Sequence, residues 1–540
     1  MGLAKFLDKS ALSASQVLKN FDYEVFKSIL LSHRVCICFD KKTVASSEGF
    51  ASIDLLVRIL ARLYPSLQLR CIDGKSPDTE YFNEVALSIN EYIDLAISEP
   101  TVCIVVGDTL VDHSCLKIFI GSDQWLARFS LHRPLLSGNS KNRLGAGAAA
   151  CFAAANLFRY VFGEQLPEGQ LDEEFIYSTF NSGINGNAQQ GPGINAINLN
   201  DTVLIGLGAI GNAVAWSLKD LDLKGSLDIV DGEKIELTNL QRYLLAAEVD
   251  IDRPKTDLIN SYLNQPCVKS FPFHFDEYIS RRGDWKIFRA VVCVDSANDR
   301  RLVQASLPQR VINAWTQQEQ CGISRHYDFL NEPCLCCLYH PLKEEKSLPL
   351  KIAESLGLRE VNHINIIRQY MAEQILVDEL IIDLISQAKA IDPNSLLPYT
   401  GKSIEVFYSE VICGGVMMHL TGNPQKEAAE VPSAFESAMA GILLTAEIIT
   451  DCNNLRAGKS PTIQKLNLLR SLTKYTYDSV GKNNTPDCIC HDDIYRQIFK
   501  QKWGVKVKSD ILPIASESGE KVKNTTVSLD VANNANEKWK

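Results

Sequence analysis

The chain has 540 residues, 46% hydrophobic and 22% charged, and carries 55 Lys and Arg against 65 Asp and Glu, a formal net charge of −10. That length exceeds one hydrophobic core and predicts two or three domains, while the acidic balance and the absence of a long basic run exclude a nucleic-acid footprint. No run of about 18 apolar residues occurs, and the N-terminus MGLAKFLDKSALSASQ lacks the apolar core and cleavage site of an export signal, so neither secretion nor a membrane span is expected.

From Arg34 to Gly107, short β-branched and Cys-rich runs (RVCICFD, LQLRCID, TVCIVVGD) alternate with longer segments of helical period (FASIDLLVRILARLY, YFNEVALSINEYIDLAI), the pattern of a parallel α/β sheet. A further strand, LKIFIGSD, leads to GAGAAACFAAANLFRYVFG, a helix whose small residues allow close packing on a neighbour. Residues 181–200 (NSGINGNAQQGPGINAINLN) have linker chemistry, rich in Gly and Asn. A second α/β unit opens at Thr202 and repeats the logic of the first: strand TVLIGLG, a helix, strand SLDIVDG, helix KTDLINSYLN, strand AVVCVDS and, late in the chain, the small-residue helix VPSAFESAMAGILLTAEIIT. Between Leu342 and Val411 a charged, Leu- and Ile-rich stretch of helical period reads as an inserted subdomain, and the polar segment after Ser509 reads as a mobile tail. Sixteen cysteines are scattered along apolar strands as well as clustered; with no export signal they read as reduced thiols, which points to the cytoplasm.

In VLIGLGAIGNAVAW, Gly206, Gly208 and Gly211 have GxGxxG spacing between a strand and a helix, with Ala209 and Ile210 inside the turn. Glycines permit a tight turn and close backbone approach, and the helix N-terminus offers N–H groups to phosphate. On these glycines alone, with Asp231 about twenty residues later as a ribose-binding acid, a dinucleotide-binding dehydrogenase is an equal reading.

The next stretch, DIVDGEKIELTNLQRYLLAAEVDIDRPKTDLIN, resembles the adenylyltransferase family of ThiF, MoeB and the ubiquitin-activating enzymes. Asp231 ends the second strand, Asn239 and Arg242 stand as N-L-x-R, and Lys255 follows thirteen residues after the arginine, all at the family's spacing. VCVDSANDRR resembles its D-x-x-x-x-R element, with Asp295 and Arg300. The resemblance implies ATP and Mg²⁺: Arg242 and Lys255 on the phosphates, Asn239 on phosphate or metal water, Asp231 on the ribose, Asp295 on Mg²⁺. Carboxylate attack on an α-phosphate builds charge on the phosphoryl oxygens, which cations stabilise. The family's arginine-bearing segment before the first strand is absent from INGNAQQGPGINAIN, leaving Arg143 of the first domain as a candidate supplier.

Cys334 and Cys337 in EPCLCCLYHP resemble the family's first zinc pair, and TPDCICHDD its second, with Cys488, His491 as fourth ligand and Cys490 as the alternative. The Zn²⁺ site this implies is structural, tying the C-terminal segment to the core. After the insertion, EVICGGVMMHLTG places Cys413 where the family's transfer cysteine falls, with two glycines to leave the sulfur approachable; Cys321 is the next candidate and Cys336 reads as a bystander.

The expected architecture is therefore α/β with two Rossmann-like parallel-sheet halves: residues 1–180 an inactive adenylation-like domain, 181–200 a linker, 201–341 and 414–508 the active domain with its zinc site, 342–413 the helical insertion and 509–540 a tail. A fused ubiquitin-conjugating domain in the first half is set aside because no His-Pro-Asn tripeptide precedes a cysteine. The whole resembles a bacterial-type ubiquitin-activating enzyme, which implies adenylylation of the C-terminal glycine of a ubiquitin-like protein, a thioester on the enzyme and transfer to a conjugating enzyme. A homodimer is compatible with this. The alternatives are activation of a sulfur-carrier protein for cofactor biosynthesis and a noncatalytic scaffold of the same fold.

Overall fold

In the computed structural model, residues 2–505 are described except 285, 318–319, 341–346, 422–429, 457–460, 475–478, 481–484 and 486. The apolar runs of the first unit become β1 (Val35–Phe39), β2 (Leu67–Cys71), β3 (Val102–Val106), β4 (Leu116–Asp123), β5 (Leu126–Ser130) and β6 (Glu174–Ser178). They form one sheet in the order β2-β1-β3-β4-β5-β6, parallel through β4 and antiparallel thereafter. β1 and β3 are buried at every position, which is why they read as unbroken apolar runs rather than alternating ones. Among the helices of this unit that touch the second unit are α1 (Leu7–Ser15), α2 (Ser47–Leu60) and α3 (Leu144–Phe162).

The second sheet contains β7 (Ala196–Ile205), β8 (Asp222–Val230), β9 (Val268–Phe271), β10 (Arg289–Val292), β11 (Arg310–Thr316), β12 (Cys321–His326), β13 (Ile463–Leu466) and β14 (Ser479–Val480). Its order is β14-β13-β12-β11-β10-β7-β8-β9. Strand for strand, β7, β8, β10, β11, β12 and β13 keep the neighbours and directions of β1 to β6, so the two units share a topology. The expected linker ends earlier than its composition suggests. Ile197 and Leu199 are buried while Asn198 and Asn200 are exposed, and that two-residue alternation carries β7 back to Ala196.

The units meet through α3, α4 (Ala209–Leu218) and α7 (Ala434–Cys452); α5 (Lys255–Leu263), α6 (Ala297–Ala305) and α8 (Asp493–Trp503) also belong to the second unit. Small residues set the approach: a Cβ on Gly147 of α3 would lie 2.7 Å from the Trp216 ring, and one on Gly441 of α7 only 2.3 Å from Ala213 Cβ. By length and composition, Leu144–Gln165 could cross a membrane, but 89% of its apolar window is buried inside the fold, as expected of a core helix. Acidic residues of α7 are paired within the core: Asp451 with Arg289 (2.6 Å) and Arg310 (2.5 Å), Glu447 with Arg325 (2.7 Å) and Arg456 (2.5 Å). Removing one member of such a buried pair leaves an uncompensated charge, at about 3–5 kcal/mol.

The insertion is helical, as its period predicts, with helices Leu348–Ser355, Val361–Glu373 and Glu379–Lys389 around their own core of Ile352, Leu356, Ile367, Ile381, Ile385 and Phe407. Met417 belongs to that core, so the subdomain runs past the expected boundary at 413. It rests on α1. Gly415, at φ +92°, approaches the Asp8 carbonyl so closely that a Cβ would sit 2.4 Å from its oxygen. The expected tail lies outside the described residues.

Candidate adenylylation site

The glycine turn joins β7 to α4. Gly206 adopts φ +88°, a conformation a side chain would strain, and a Cβ there would also meet the Cys293 carbonyl carbon at 2.9 Å. Gly211 packs against the Gly206 carbonyl, 2.5 Å from where its Cβ would be. Gly208 caps α4, and no side chain bonds the N–H groups of the first turn, which Ala209 and Ile210 begin. An uncapped helix start with glycine access is an anion site.

Asp231, at the end of β8, lies beside that turn. One carboxylate oxygen accepts from the Leu207 N–H (2.7 Å) and the other from Glu233 N–H (2.9 Å). Burial pushes its carboxyl pKa up, against the lowering pull of Lys255. Asn212 of α4 donates to the Leu207 and Gly208 carbonyls (2.8 and 3.0 Å) and accepts from Leu245 N–H (3.1 Å), fastening the turn to the segment that carries Arg242.

Two predicted phosphate-site residues come together around Tyr243. Lys255 Nζ lies 5.3 Å from the Tyr243 ring centre and the Arg242 guanidinium 5.7 Å, both in cation–π range. Lys255 also pairs with Glu233 at 2.5 Å. Burial opposes its charge, but Tyr243, Asp231 and Glu233 together hold its pKa above the ordinary lysine value. Burial likewise raises Tyr243; on Glu233 burial is outweighed by Lys255, so that carboxyl is lowered. Asn239 turns its Oδ1 to the Glu236 N–H (3.0 Å), closing the short turn Leu237–Gln241.

Asp295 is exposed beyond the end of β10. Asp299, in the first turn of α6, has its carboxyl raised by burial and then by the charge of Asp295. Arg300 is buried, donates to the Val294 carbonyl (2.5 Å) and stacks on Tyr339 at 4.5 Å, which fixes the loop bearing Asp295.

Arg143 is not at this site. It pairs with Asp220, donates to the Trp216 carbonyl (3.3 Å) and stacks on that indole at 4.9 Å, at the far end of α4 from the glycines. Two first-unit arginines reach the site's frame: Arg62, just beyond α2, donates to the carbonyls of Leu240, Leu244 (3.0 Å) and Ala246 (2.9 Å), and Arg58 of α2 donates to that of Leu244 (3.3 Å). Neither Arg62 nor Asn212, Glu233, Tyr243 or Asp299 was identified from sequence. Glu233, Tyr243 and Asp299 adjoin the motifs and could have been suspected by position, whereas Arg62 is distant in sequence and no pattern marks it.

At the expected zinc site the sulfurs of Cys334, Cys337, Cys488 and Cys490 lie within 4.8 Å of one another, all four buried. Adjacent pairs are 3.4 Å (Cys334–Cys488), 3.5 Å (Cys337–Cys490) and 4.0 Å (Cys334–Cys337). Four convergent thiols fit a tetrahedral zinc ion. The fourth position belongs to Cys490, correcting the expectation for His491: the chain turns at Cys488, whose carbonyl accepts from His491 N–H (2.8 Å), and Asp492 caps α8 next, leaving the imidazole exposed.

Cys413 closes the turn of π-helix Ser409–Cys413; its side chain lies outside the described residues. Single π-turns within helices are frequent at functional positions. Cys321 is fully buried on β12, and burial pushes its thiol pKa up, the opposite of an activated nucleophile. Cys336 is buried against the Arg301 carbonyl, outside the four-sulfur group. The described cysteines form no disulfide.

Comparison with known proteins agrees with this geometry. The ThiF family model matches residues 187–350, and the model for Prokaryotic E2 family C matches 38–163. The second match gives the first half a family description of the class set aside for want of a His-Pro-Asn tripeptide. The tripeptide's absence was therefore too narrow a criterion, although the half keeps the strand order of its neighbour. "Uncharacterized protein y4jF" of Sinorhizobium fredii (strain NBRC 101917 / NGR234) is 37% identical over 515 residues, 94% of this chain and 98% of that one. The NEDD8-activating enzyme E1 catalytic subunit of Schizosaccharomyces pombe is 32% identical over 110 residues, 19% of this chain and 24% of its own length. A crystal structure of E. coli MccB with MccA-N7isoASN is 15% identical at a TM-score of 0.33, covering 54% of this chain and 67% of that one. The ordered motif set, its convergence around one uncapped helix start and the sequence matches have one reading: the chain belongs to the ThiF/E1-like adenylyltransferase family, whose chemistry is ATP-dependent adenylation of a substrate.

Proposed function

We propose that the chain adenylylates the C-terminal glycine carboxylate of a ubiquitin-like protein, then holds the acyl group on Cys413 as a thioester and passes it to a conjugating enzyme. The observation that carries the first step is the uncapped start of α4, with Asp231 beside it and with Lys255 and Arg242 gathered on Tyr243. The N–H groups of α4, Arg242 and Lys255 would hold the phosphates, and Asp231 the ribose hydroxyls. Lys255 would exchange Glu233 for phosphate as ATP enters. A carboxylate oxygen of the partner then bonds to the α-phosphorus as its bond to the pyrophosphate oxygen breaks, giving acyl-adenylate and pyrophosphate. Asp295, with Asp299 beside it, suits a hydrated Mg²⁺, which would offset phosphate charge. In the second step the Cys413 thiolate, its proton lost to solvent, bonds to the acyl carbon and AMP leaves. This step is supported by the placement of the Cys413 segment on α1, which packs in turn on the turn Leu237–Gln241. Zinc at Cys334, Cys337, Cys488 and Cys490 would pin the C-terminal segment, the first unit would serve as an inactive adenylation-like half, and the free thiols suit a reducing cytoplasm.

The test uses the full chain, Mg²⁺-ATP and a small Gly-terminated ubiquitin-like protein encoded beside it. Partner-dependent ATP–pyrophosphate exchange is expected, with a covalent adduct that survives non-reducing denaturation, disappears with thiol and is absent in Cys413→Ala, while exchange persists in that variant. Exchange without any thiol-sensitive adduct in wild type would make a sulfur-carrier protein the better substrate. Absence of exchange with any such partner would leave a scaffold.

A further inference from the structure

The sheet of the first unit carries cysteines that adenylylation does not use. Cys36 and Cys38 stand two apart on β1 and so project to one face, and Cys103 is the register partner of Cys36 on β3. Their three sulfurs lie within 4.8 Å of one another, and all three residues are fully buried. Cys36 and Cys38 are 3.4 Å apart, and Cys115, immediately before β4, brings its sulfur to 3.4 Å from that of Cys103. Tetrahedral coordination with Zn–S bonds of about 2.3 Å separates sulfurs by about 3.8 Å, a spacing the three clustered sulfurs approach, and Cys115 adjoins them through Cys103. The four-cysteine group at Cys334 meets the same 4.8 Å limit, with neighbouring sulfurs 3.4 to 4.0 Å apart.

We infer that Cys36, Cys38 and Cys103, with Cys115 closing the set, form a second site for a thiophilic divalent cation such as zinc. Binding would release the thiol protons to solvent and leave a thiolate group of net negative charge, which needs a positive neighbour in a buried place. Arg70 supplies one: on β2 it is the register partner of Cys38. Its guanidinium bonds to His113 (3.1 Å), Gln68 (3.0 Å) and the Ser98 carbonyl, none a carboxylate, and its buried Nε has no partner. Val105, Phe119 and Leu135 cover the cluster and would exclude water from it. The strand pattern points the same way. In VCICF and VCIVV the cysteines occupy one face of a doubly buried sheet while Val, Ile and Phe fill the other, a segregation that filling a core does not require.

The experiment counts metal on the full chain. Protein made with zinc should hold about two ions, C488S about one, and C488S/C103S less than about a tenth of one. Cobalt added to metal-free C488S should give a near-ultraviolet thiolate-to-metal absorption that C488S/C103S lacks. Should C488S not fold, C103S alone should drop from about two ions to about one by the same count. A single ion on wild type, a cobalt-loaded C488S without thiolate absorption, or a Cys103–Cys115 disulfide in protein purified anaerobically would each overturn the assignment.

Discussion

The first strand-to-helix turn of each sheet is built on one plan and ends in opposite chemistry. After β1, Asp40 accepts from Thr43 N–H (2.6 Å), Ser46 accepts from Gly49 N–H (3.0 Å), and Asp73, just past β2, accepts from Lys41 N–H (3.0 Å). After β7, Asp231 past β8 takes the Leu207 N–H in the corresponding way, but Gly208 stands at the cap and contributes no side chain. The first turn thus satisfies its own orphan donors, and the second leaves them for a ligand. Repetition of topology does not repeat the site; side chains at two or three cap positions decide which half can take phosphate.

The largest expected effect tests the acids beyond the third strands. Asp295 follows β10, and Asp108 holds the comparable place after β3, also exposed. Asp295→Ala should lower ATP–pyrophosphate exchange by about a thousandfold, as expected when several kcal/mol of metal-borne charge stabilisation is lost, whereas Asp108→Ala should leave it unchanged. Equal loss in both variants would break the distinction between the halves. The next effect comes from converting one turn into the other. Gly208→Asp copies Asp40: a Cβ there meets nothing closer than the Tyr243 hydroxyl at 3.3 Å, and the new carboxylate would cap α4 while repelling phosphate. Exchange should fall by about a hundredfold with Tm unchanged or raised, the reverse of Gly206→Ala, where the positive φ should cost stability as well.

How far this contrast is legible in sequence depends on distance along the chain. The glycines, Asp231, Asn239, Arg242 and Lys255 lie in one continuous stretch from the end of β7 to the start of α5, so local spacing carries them, and the small residues of α3 and α7 announce close packing. The start of β7 was missed because Gly and Asn dominate residues 181–200, although Ile197 and Leu199 alternate correctly. His491 looked right as a ligand by spacing; the turn that aims Cys490 inward is a backbone property that residue identity does not display. Arg62 was invisible for a different reason. Its partners are carbonyls, present at every residue, so no complementary side chain marks the contact.

Arg62 gives the third and smaller effect. It holds three carbonyls of the segment from Leu240 to Ala246, and through it the first unit braces the loop of Arg242. Arg62→Ala should cost about 3 kcal/mol in unfolding because the Leu240 and Ala246 carbonyls lose their side-chain donor while Leu244 keeps Arg58, and should raise the KM for ATP by about tenfold with kcat less affected. Arg62→Lys should recover part of both. A destabilised variant with unaltered KM would make the contact purely structural.

The smallest effect is in pH, and it separates the two homologously placed acids. Burial raises the Asp231 carboxyl above the ordinary 3.8, whereas Asp73 is exposed and, through its bond from the Cys71 thiol first, is lowered. For Asp231 the folded chain binds the proton more tightly than the unfolded chain does, so this residue's contribution to stability rises as pH falls through its raised pKa towards 3.8. For Asp73 the sign reverses: its contribution is present above 3.8 and is lost as pH falls through the lowered value. Activity should follow Asp231 alone, because its protonation removes the acceptor offered to the ribose hydroxyls. The acid limb of kcat/KM for ATP in the exchange assay should therefore have its midpoint above 3.8 and disappear in Asp231→Asn, while Asp73→Asn keeps the limb. Carboxyl-carbon NMR of the two aspartates would check the assignment directly. Asp231 titrating at or below Asp73 would mean that the buried turn is solvated after all, and the contrast between a closed and an open turn would then rest on Gly208 alone.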